Sequence, residues 1–192
     1  MKVVAFNGSP RADGNTAESI KIVLRELEKE GIETELIQLG GQKVFGCLGC
    51  RRCGVNKDNR CARQDDNMND FIEKMFEADG VIIGSPTYFS NVTTEVKALI
   101  DRSGYVAKAN GGTALKGKVG AAVVSVRRAG SNFVYSAINF FFGISQMIIP
   151  GSSYWNMTLS RDPGDVLKDE EGIKTFETLG QNMAWLLKKI HA

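Results

Sequence analysis

The sequence predicts an α/β domain: a parallel sheet with helices packed on both faces. Three observations carry that expectation. Short apolar runs alternate with segments of helical period five times along the 192 residues, the pattern of repeated βα units. The buried runs are apolar throughout rather than at every second residue, as in parallel strands covered on both sides. The length suits one domain of roughly 100–200 residues, and neither an internal repeat nor a low-complexity linker divides the chain. Residues 1–192 therefore read as a single domain.

The elements follow in order. Val3–Phe6 is a buried strand. Asn15 and Glu18 resemble a capping box that opens a helix, with Ala17, Ile20, Val23, Leu24 and Leu27 as its apolar stripe and Gly31 as its stop. Ile32–Leu39 is a second strand, with polar residues interleaved as at a less buried position. Residues 40–65 carry no helical or strand period, which makes them an insertion longer than the ~12–15 residues usual for a structureless loop. Asp66–Ala78 is helical, with Met68, Phe71, Ile72, Met75 and Phe76 on one side. Val81-Ile82-Ile83 forms the third strand, Val92, Val96, Leu99 and Ile100 mark the next helix, and Val119–Val126 is the fourth strand. Asn132–Ile144 is a very apolar helix and Met147–Ile149 the fifth strand. A last helix runs through Ile173, Phe176, Leu179, Met183, Leu186, Leu187 and Ile190. Right-handed crossovers leave few ways to wind five such units, and the doubly wound order 2-1-3-4-5 is the common one.

Composition excludes several classes. Lys and Arg total 24 against 22 Asp and Glu, so no basic face points to nucleic acid. The hydrophobic content of 43% and the aperiodic glycines exclude disordered and collagen-like chains. The chain opens directly on a strand with no signal peptide, and the reading is a cytoplasmic protein. Ala129–Ser160 holds no charged residue, yet Ser131, Asn132, Ser136, Asn139, Ser145 and Gln146 interrupt it and Pro150-Gly151 ends it. A membrane span of ~20 predominantly apolar residues is absent there. Phe133, Tyr135, Ile138, Phe140, Phe141 and Phe142 instead spread beyond the ~100° stripe that a surface helix buries. That predicts packing against another subunit.

All four cysteines, Cys47, Cys50, Cys53 and Cys61, fall in one window with the spacing C-x2-C-x2-C-x7-C. Reduced thiols clustered in this way point to a metal or redox site rather than a disulfide framework. Zinc sites of four cysteines usually come as two separate C-x2-C knuckles. The overlapping run is closer to those that wrap a [4Fe–4S] cluster, and a loop of bare thiols is the third reading. Arg51, Arg52, Lys57, Arg60 and Arg63 surround the thiols with positive charge, which favours the reduced, more negative form of an anionic cluster.

In an open sheet wound this way, ligands bind beyond the carboxyl ends of the strands. Three loops lie there. Residues 7–16, Asn-Gly-Ser-Pro-Arg-Ala-Asp-Gly-Asn-Thr, join a strand to a helix start. They can present amides and the positive helix end to a phosphate, with Ser9, Arg11, Asn15 and Thr16 adding donors and charge. A plain turn with an N-cap would use the same residues. Residues 84–91 place Tyr88 and Phe89 where a planar ligand could lie, or where aromatics simply pack. Residues 125–130 bring Arg127 and Arg128 to the same rim, either toward anionic or carbonyl oxygens or into solvent.

Together, Asn-Gly-Ser-Pro-Arg…Gly-Asn-Thr at 7–16 and Gly-Ser-Pro-Thr-Tyr…Lys…Asp-Arg at 84–102 resemble the flavodoxin-like NAD(P)H-dependent FMN reductases over essentially the whole chain. With the cysteine run added, the likeness is to the iron–sulfur flavoprotein branch. The resemblance implies a flavodoxin-like fold and a homodimer or homotetramer. It implies that Ser9, Arg11, Asn15 and Thr16 hold the FMN phosphate and that Pro86, Thr87, Tyr88, Phe89 and Asn91 hold the isoalloxazine. Ser125, Arg127, Arg128 and Gly130 fall at the third flavin loop, and Cys47, Cys50, Cys53 and Cys61 match the pattern that binds a [4Fe–4S] cluster.

The activity so implied is oxidoreduction: hydride passes from NADPH or NADH to flavin N5, then electrons pass to a small acceptor or the cluster. Flavin carries that chemistry itself, so no acid–base dyad is expected. The single histidine, His191, reads as part of a fraying tail. An electron carrier fed by a ferredoxin-like protein is the alternative, and a zinc-stapled binding protein a weaker one. Tyr154 and Trp155, just past the expected fifth strand, either cover a flavin or pack in the core.

Overall fold

A computed structural model describes residues 1–192. Its elements are β1 (Lys2–Asn7), α1 (Asn15–Lys29), β2 (Glu33–Gln38), α2 (Arg52–Asn56), α3 (Met68–Glu77) and β3 (Gly80–Pro86). They continue with α4 (Thr94–Ala109), β4 (Val119–Val126), α5 (Ser131–Ile144), β5 (Met157–Leu159) and α6 (Glu170–Ile190). A 3-10 turn at Asp165–Lys168 precedes α6. The five strands are parallel and ordered β2-β1-β3-β4-β5, the doubly wound arrangement expected.

The continuous apolar runs serve two cores at once, because alternate side chains of a strand point to opposite faces. Val4, Phe6, Val81, Ile83, Ala122 and Val124 join the core beneath α3, α4 and α5. Val3, Ala5, Ile82, Ala121 and Val123 join the core beneath α1 and α6. Helices α1 and α6 approach closely at Gly180, where an added Cβ would lie 2.8 Å from the Val23 carbonyl oxygen and 2.6 Å from Glu26 Cβ.

Two local expectations are corrected. Asn15 and Glu18 do not form a capping box: Gly14 is the N-cap and no side chain bonds there, while Glu18 pairs with Lys21 at 2.6 Å. Asn15 reaches across the fold instead, accepting from Gly164 N (3.0 Å) and Val166 N (3.3 Å) and donating to the Asp162 carbonyl (2.9 Å).

The fifth strand is not Met147–Ile149. Ile148 makes a single bridge with Val119, and Pro150, which has no N–H to continue a ladder, directs the chain outward. It returns at Met157–Leu159 to pair with Val124–Val126. Two separate segments thus flank the start and the end of β4. Tyr154 and Trp155 consequently precede β5 and are more than half exposed, outside the core.

No helix is long and apolar enough to cross a membrane. Helix α5 buries Val134, Ile138, Phe141 and Phe142 but leaves Phe133, Phe140 and Ile144 largely exposed. Phe140 and Ile144 flank a groove of about 730 Å³ between α4 and α5. His191 sits 3.6 Å from Asp79, remote from the carboxyl edge of the sheet.

Candidate functional site at the carboxyl edge of the sheet

The parallel register aligns the three loops. Asn7 lies opposite Gly84, and Pro86 opposite Ser125, so the chain leaves β1, β3 and β4 at adjacent points. Direct bonds then join the loops. Gly8 N donates to the Gly84 carbonyl (2.8 Å) and Thr93 Oγ1 donates to the Gly8 carbonyl (2.9 Å). Thr87 N donates to the Ser125 carbonyl (2.9 Å). A Cβ on Gly130 would meet Ser90 Oγ at 2.5 Å, so the second and third loops touch where only glycine fits.

The first loop is shaped by Asn7, which is buried. Its amide donates to Gln38 Oε1 (2.7 Å) and to the Arg11 carbonyl (3.2 Å), and its oxygen accepts from Ser9 N (3.1 Å). Ser9 Oγ accepts from Arg11 N (3.2 Å). The loop leads into an α1 N-terminus that no side chain caps. Helix starts leave backbone N–H groups without intrahelical partners and carry partial positive charge. Ser9 and Thr16 lie buried beside this end, and Arg11 is exposed. The Asn15 side chain is committed to the 162–166 segment, so its part here is to set where that segment lies.

In the second loop Tyr88 and Asn91 exchange backbone bonds of 3.0 Å in both directions. Phe89 (φ 47°) and Ser90 (φ 60°) fill the two central turn positions in the left-handed region, which costs L-residues about 1–2 kcal/mol each. The turn projects Phe89 entirely into solvent, with Tyr88 half exposed beside it. An aromatic ring held out on a strained turn is not packing. Thr87 Oγ1 and Ser125 Oγ are buried beneath these loops with no hydrogen-bond partner. Arg127 and Arg128 are exposed, and Gly130 starts α5 at φ 89°.

The cysteine segment forms a second centre. Only Arg52–Asn56 is helical, and Arg51, Lys57 and Asn59 take left-handed φ angles. All four cysteines line one small cavity of about 20 Å³. Cys47 and Cys50 are exposed, Cys61 half-buried and Cys53 buried. Burial pushes the Cys53 thiol up, and the neighbouring Cys61 and Cys50 push it the same way. No three His, Cys, Asp or Glu side chains are grouped so as to hold a single metal ion.

Some of the positive charge expected around the thiols is already paired. Arg60 meets Glu73 at 3.0 Å and Arg63 meets Asp65 at 2.7 Å. The guanidinium of Arg63 also lies 4.0 Å from the centre of the Phe45 ring. The base of the segment is closed by Asp66, read from the sequence only as a helix start, and Arg102, read only as the last residue of the 84–102 motif. Arg102, 1% exposed on α4, bonds through Nη1 to Asp66 and to the Phe45 carbonyl (3.1 Å), and through Nη2 to the Arg63 carbonyl (3.2 Å). Phe45 and Arg63 bracket Cys47–Cys61. The available signal was spacing: Arg102 lies three residues after Leu99 and four before Val106, on the buried stripe of its helix, where a charge needs a partner.

Comparison with known proteins agrees with this architecture. The family model of NADPH-dependent FMN reductase matches residues 1–162. An iron-sulfur flavoprotein of Methanocaldococcus jannaschii is 36% identical over 197 residues, covering 99% of each chain. One from Methanosarcina thermophila is 31% identical over 192 residues, covering 99% of this chain and 97% of its own. Among solved structures, a flavodoxin from the domain Archaea superposes with a TM-score of 0.65 at 15% identity, covering 98% of this chain and 99% of its own.

Proposed function

The chain belongs to the NADPH-dependent FMN reductase family, and from that premise we propose that it is an iron–sulfur flavoprotein. It takes hydride from NADPH or NADH onto FMN and passes electrons to a small acceptor or to a [4Fe–4S] cluster held by Cys47, Cys50, Cys53 and Cys61. The observation that carries this reading is the contact of all three loops along one edge: an uncapped helix start at one end and a projecting aromatic turn at the other.

The residues present fit FMN. Ser9, Thr16 and the first amides of α1 suit a phosphate, with Arg11 supplying charge and Asn15 fixing the wall opposite. Tyr88 and Phe89 suit the face of a planar ring. Pro86, Thr87, Asn91, Ser125, Arg127, Arg128 and Gly130 supply edge contacts, and the two orphaned hydroxyls of Thr87 and Ser125 lie on that side. Bound there, FMN supplies hydride acceptance and one-electron release, and the protein's task is to position the ring and exclude side reactions. No side chain is needed as acid or base, and His191 is far from the edge.

Four thiols in an overlapping run suit a cluster better than a single ion. Tetrahedral zinc draws its four thiolates to one point at ~2.3 Å, and the observed thiols do not converge in that way. The support for a cluster is the overlapping C-x2-C-x2-C run together with the opening of all four cysteine side chains onto one cavity. The exposed apolar face of α5 is assigned to contact with a second copy of the chain.

Anaerobically purified protein is the test. Flavin absorbance, about four irons and four sulfides per chain, and rapid bleaching on mixing with NADPH or NADH are expected. Colourless protein that takes up no added FMN overturns the proposal. Bound flavin that neither nicotinamide bleaches, but a reduced ferredoxin does, replaces it with the electron carrier.

A further inference from the structure

We infer that Arg102 is a positioning residue of the cysteine centre, its Nε–H held as hydrogen-bond donor to a sulfur there. This rests on the cluster reading above. Three facts lead to it. The guanidinium is buried and its two terminal nitrogens are used: Nη1 on Asp66 and the Phe45 carbonyl, Nη2 on the Arg63 carbonyl. Its Nε is buried and has no acceptor anywhere in the protein. The same side chain lines the cavity into which all four cysteines open.

A buried donor left unmet is unfavourable, and native proteins rarely tolerate one without a functional reason. Among side chains lining the cavity, the possible acceptors are the cysteine sulfurs and the Tyr105 hydroxyl. Tyr105 is 40% exposed, and its hydroxyl does not accept from Nε. The fork is also locked in place, because its three acceptors come from both ends of the cysteine segment and from Asp66. A donor so fixed does not have to reorganise when a sulfur arrives.

The charge arithmetic decides what such a bond does. Asp66 cancels the formal charge of Arg102, so the pair adds no net charge to the site. The lever is the N–H itself. A hydrogen bond to a ligand sulfur favours the more negative, reduced state and raises the reduction potential. Arg102→Lys separates the two contributions, since lysine keeps a cation for Asp66 and lacks the Nε–H.

The test uses full-length protein loaded anaerobically with iron and sulfide and titrated with dithionite under EPR. In R102K the ratio of reduced to oxidised cluster at fixed potential is expected to fall about tenfold, which for one electron is about 59 mV. A second measurement needs no loss of Arg102. Arg51 and Arg63 also line the cavity, so the R51K/R63K protein is grown on arginine labelled with 15N at Nε. Pulsed EPR of its reduced cluster is expected to show a weak nitrogen coupling. Should R102K fail to load, this coupling decides alone. An unchanged potential in loaded R102K, or no coupling, overturns the role of Arg102 while the cluster stands. Wild-type protein that binds no iron overturns both.

Discussion

Replacing Asp66 by alanine isolates the energetics of the clasp at the base of the cysteine segment. The carboxylate is fully buried and Arg102 is 1% exposed, so removing one partner strands a guanidinium among apolar groups and two carbonyls. Breaking a buried pair in this way costs about 3–5 kcal/mol. The amides of Phe45 (2.9 Å) and Met68 (3.3 Å) also lose their acceptor. Set against a total stability of about 5–15 kcal/mol, and at about 2–4 °C per kcal/mol for a chain of this size, the midpoint should fall by roughly 6–20 °C. There is a ceiling, because the segment can lift and let water reach Arg102, and the cost cannot exceed the free energy of that opening. The assay is therefore double. Urea unfolding of metal-free protein by circular dichroism reads the global loss, and trypsin cleavage at Arg51, Arg52, Lys57 or Arg60 reads the opening. Asp66→Leu combined with Arg102→Met should recover the part of the loss due to unpaired charge, but not the part due to the Phe45 and Met68 amides and the Phe45 and Arg63 carbonyls left without partners. Asp66→Ala protein that unfolds within about 1 kcal/mol of wild type, and is cut no faster, would refute the reasoning.

Three further outcomes follow from the same structure. Phe89→Ala should leave the urea midpoint unchanged, because the ring buries nothing, while weakening FMN binding by up to roughly tenfold, the scale of one aromatic stacking contact; equilibrium fluorescence titration measures it. Glu26→Gln addresses acid stability. The Lys29 ammonium, and next the Gln181 amide, hold the Glu26 carboxyl below its ordinary range. A depressed folded pKa stabilises the fold above the unfolded value of about 4.3, and that contribution is lost as pH falls through the folded value. The gap between urea midpoints at about pH 7 and about pH 3.5 should narrow in the variant. Phe140→Asp with Ile144→Asp places charge on side chains 76% and 80% exposed, and sedimentation should report an oligomer for wild type and a monomer for the variant.

What was legible in the sequence depended on how local the cause was. The strand runs 3–6, 81–83 and 119–126 announce themselves because a strand covered on both faces must be apolar at every position. The order of the sheet then follows from handedness and common topology. The fifth strand was misplaced because Met147–Ile149 and Met157–Leu159 are equally short. Which of them extends the sheet depends on where Pro150 sends the chain. Asn15 misled for a similar reason. Asn followed three residues later by Glu is a good start signal, yet its side chain finds better partners 147–151 residues away. At the site, the loop residues were legible as types of chemistry, and Asp66 and Arg102 were not. Their meaning lies in a contact across 36 residues.

That contact gives α4 a part in both centres. Its N-cap, Thr93, accepts from Val96 N and donates to the Gly8 carbonyl, while Thr93 N donates to Ser85 Oγ. One end of the helix is thus bonded into the first two loops of the carboxyl edge. Arg102, nine residues on, clasps the cysteine segment. At about 1.5 Å per residue the two anchor points stand about 14 Å apart along one axis. The helix is held against α5 at Gly104, where a Cβ would press on the Phe141 ring at 3.3 Å. A separation set by a single packed helix is stiffer than one set by the 26-residue insertion could be. The cysteine segment, irregular in itself, is located relative to the carboxyl edge of the sheet by residues that lie outside it.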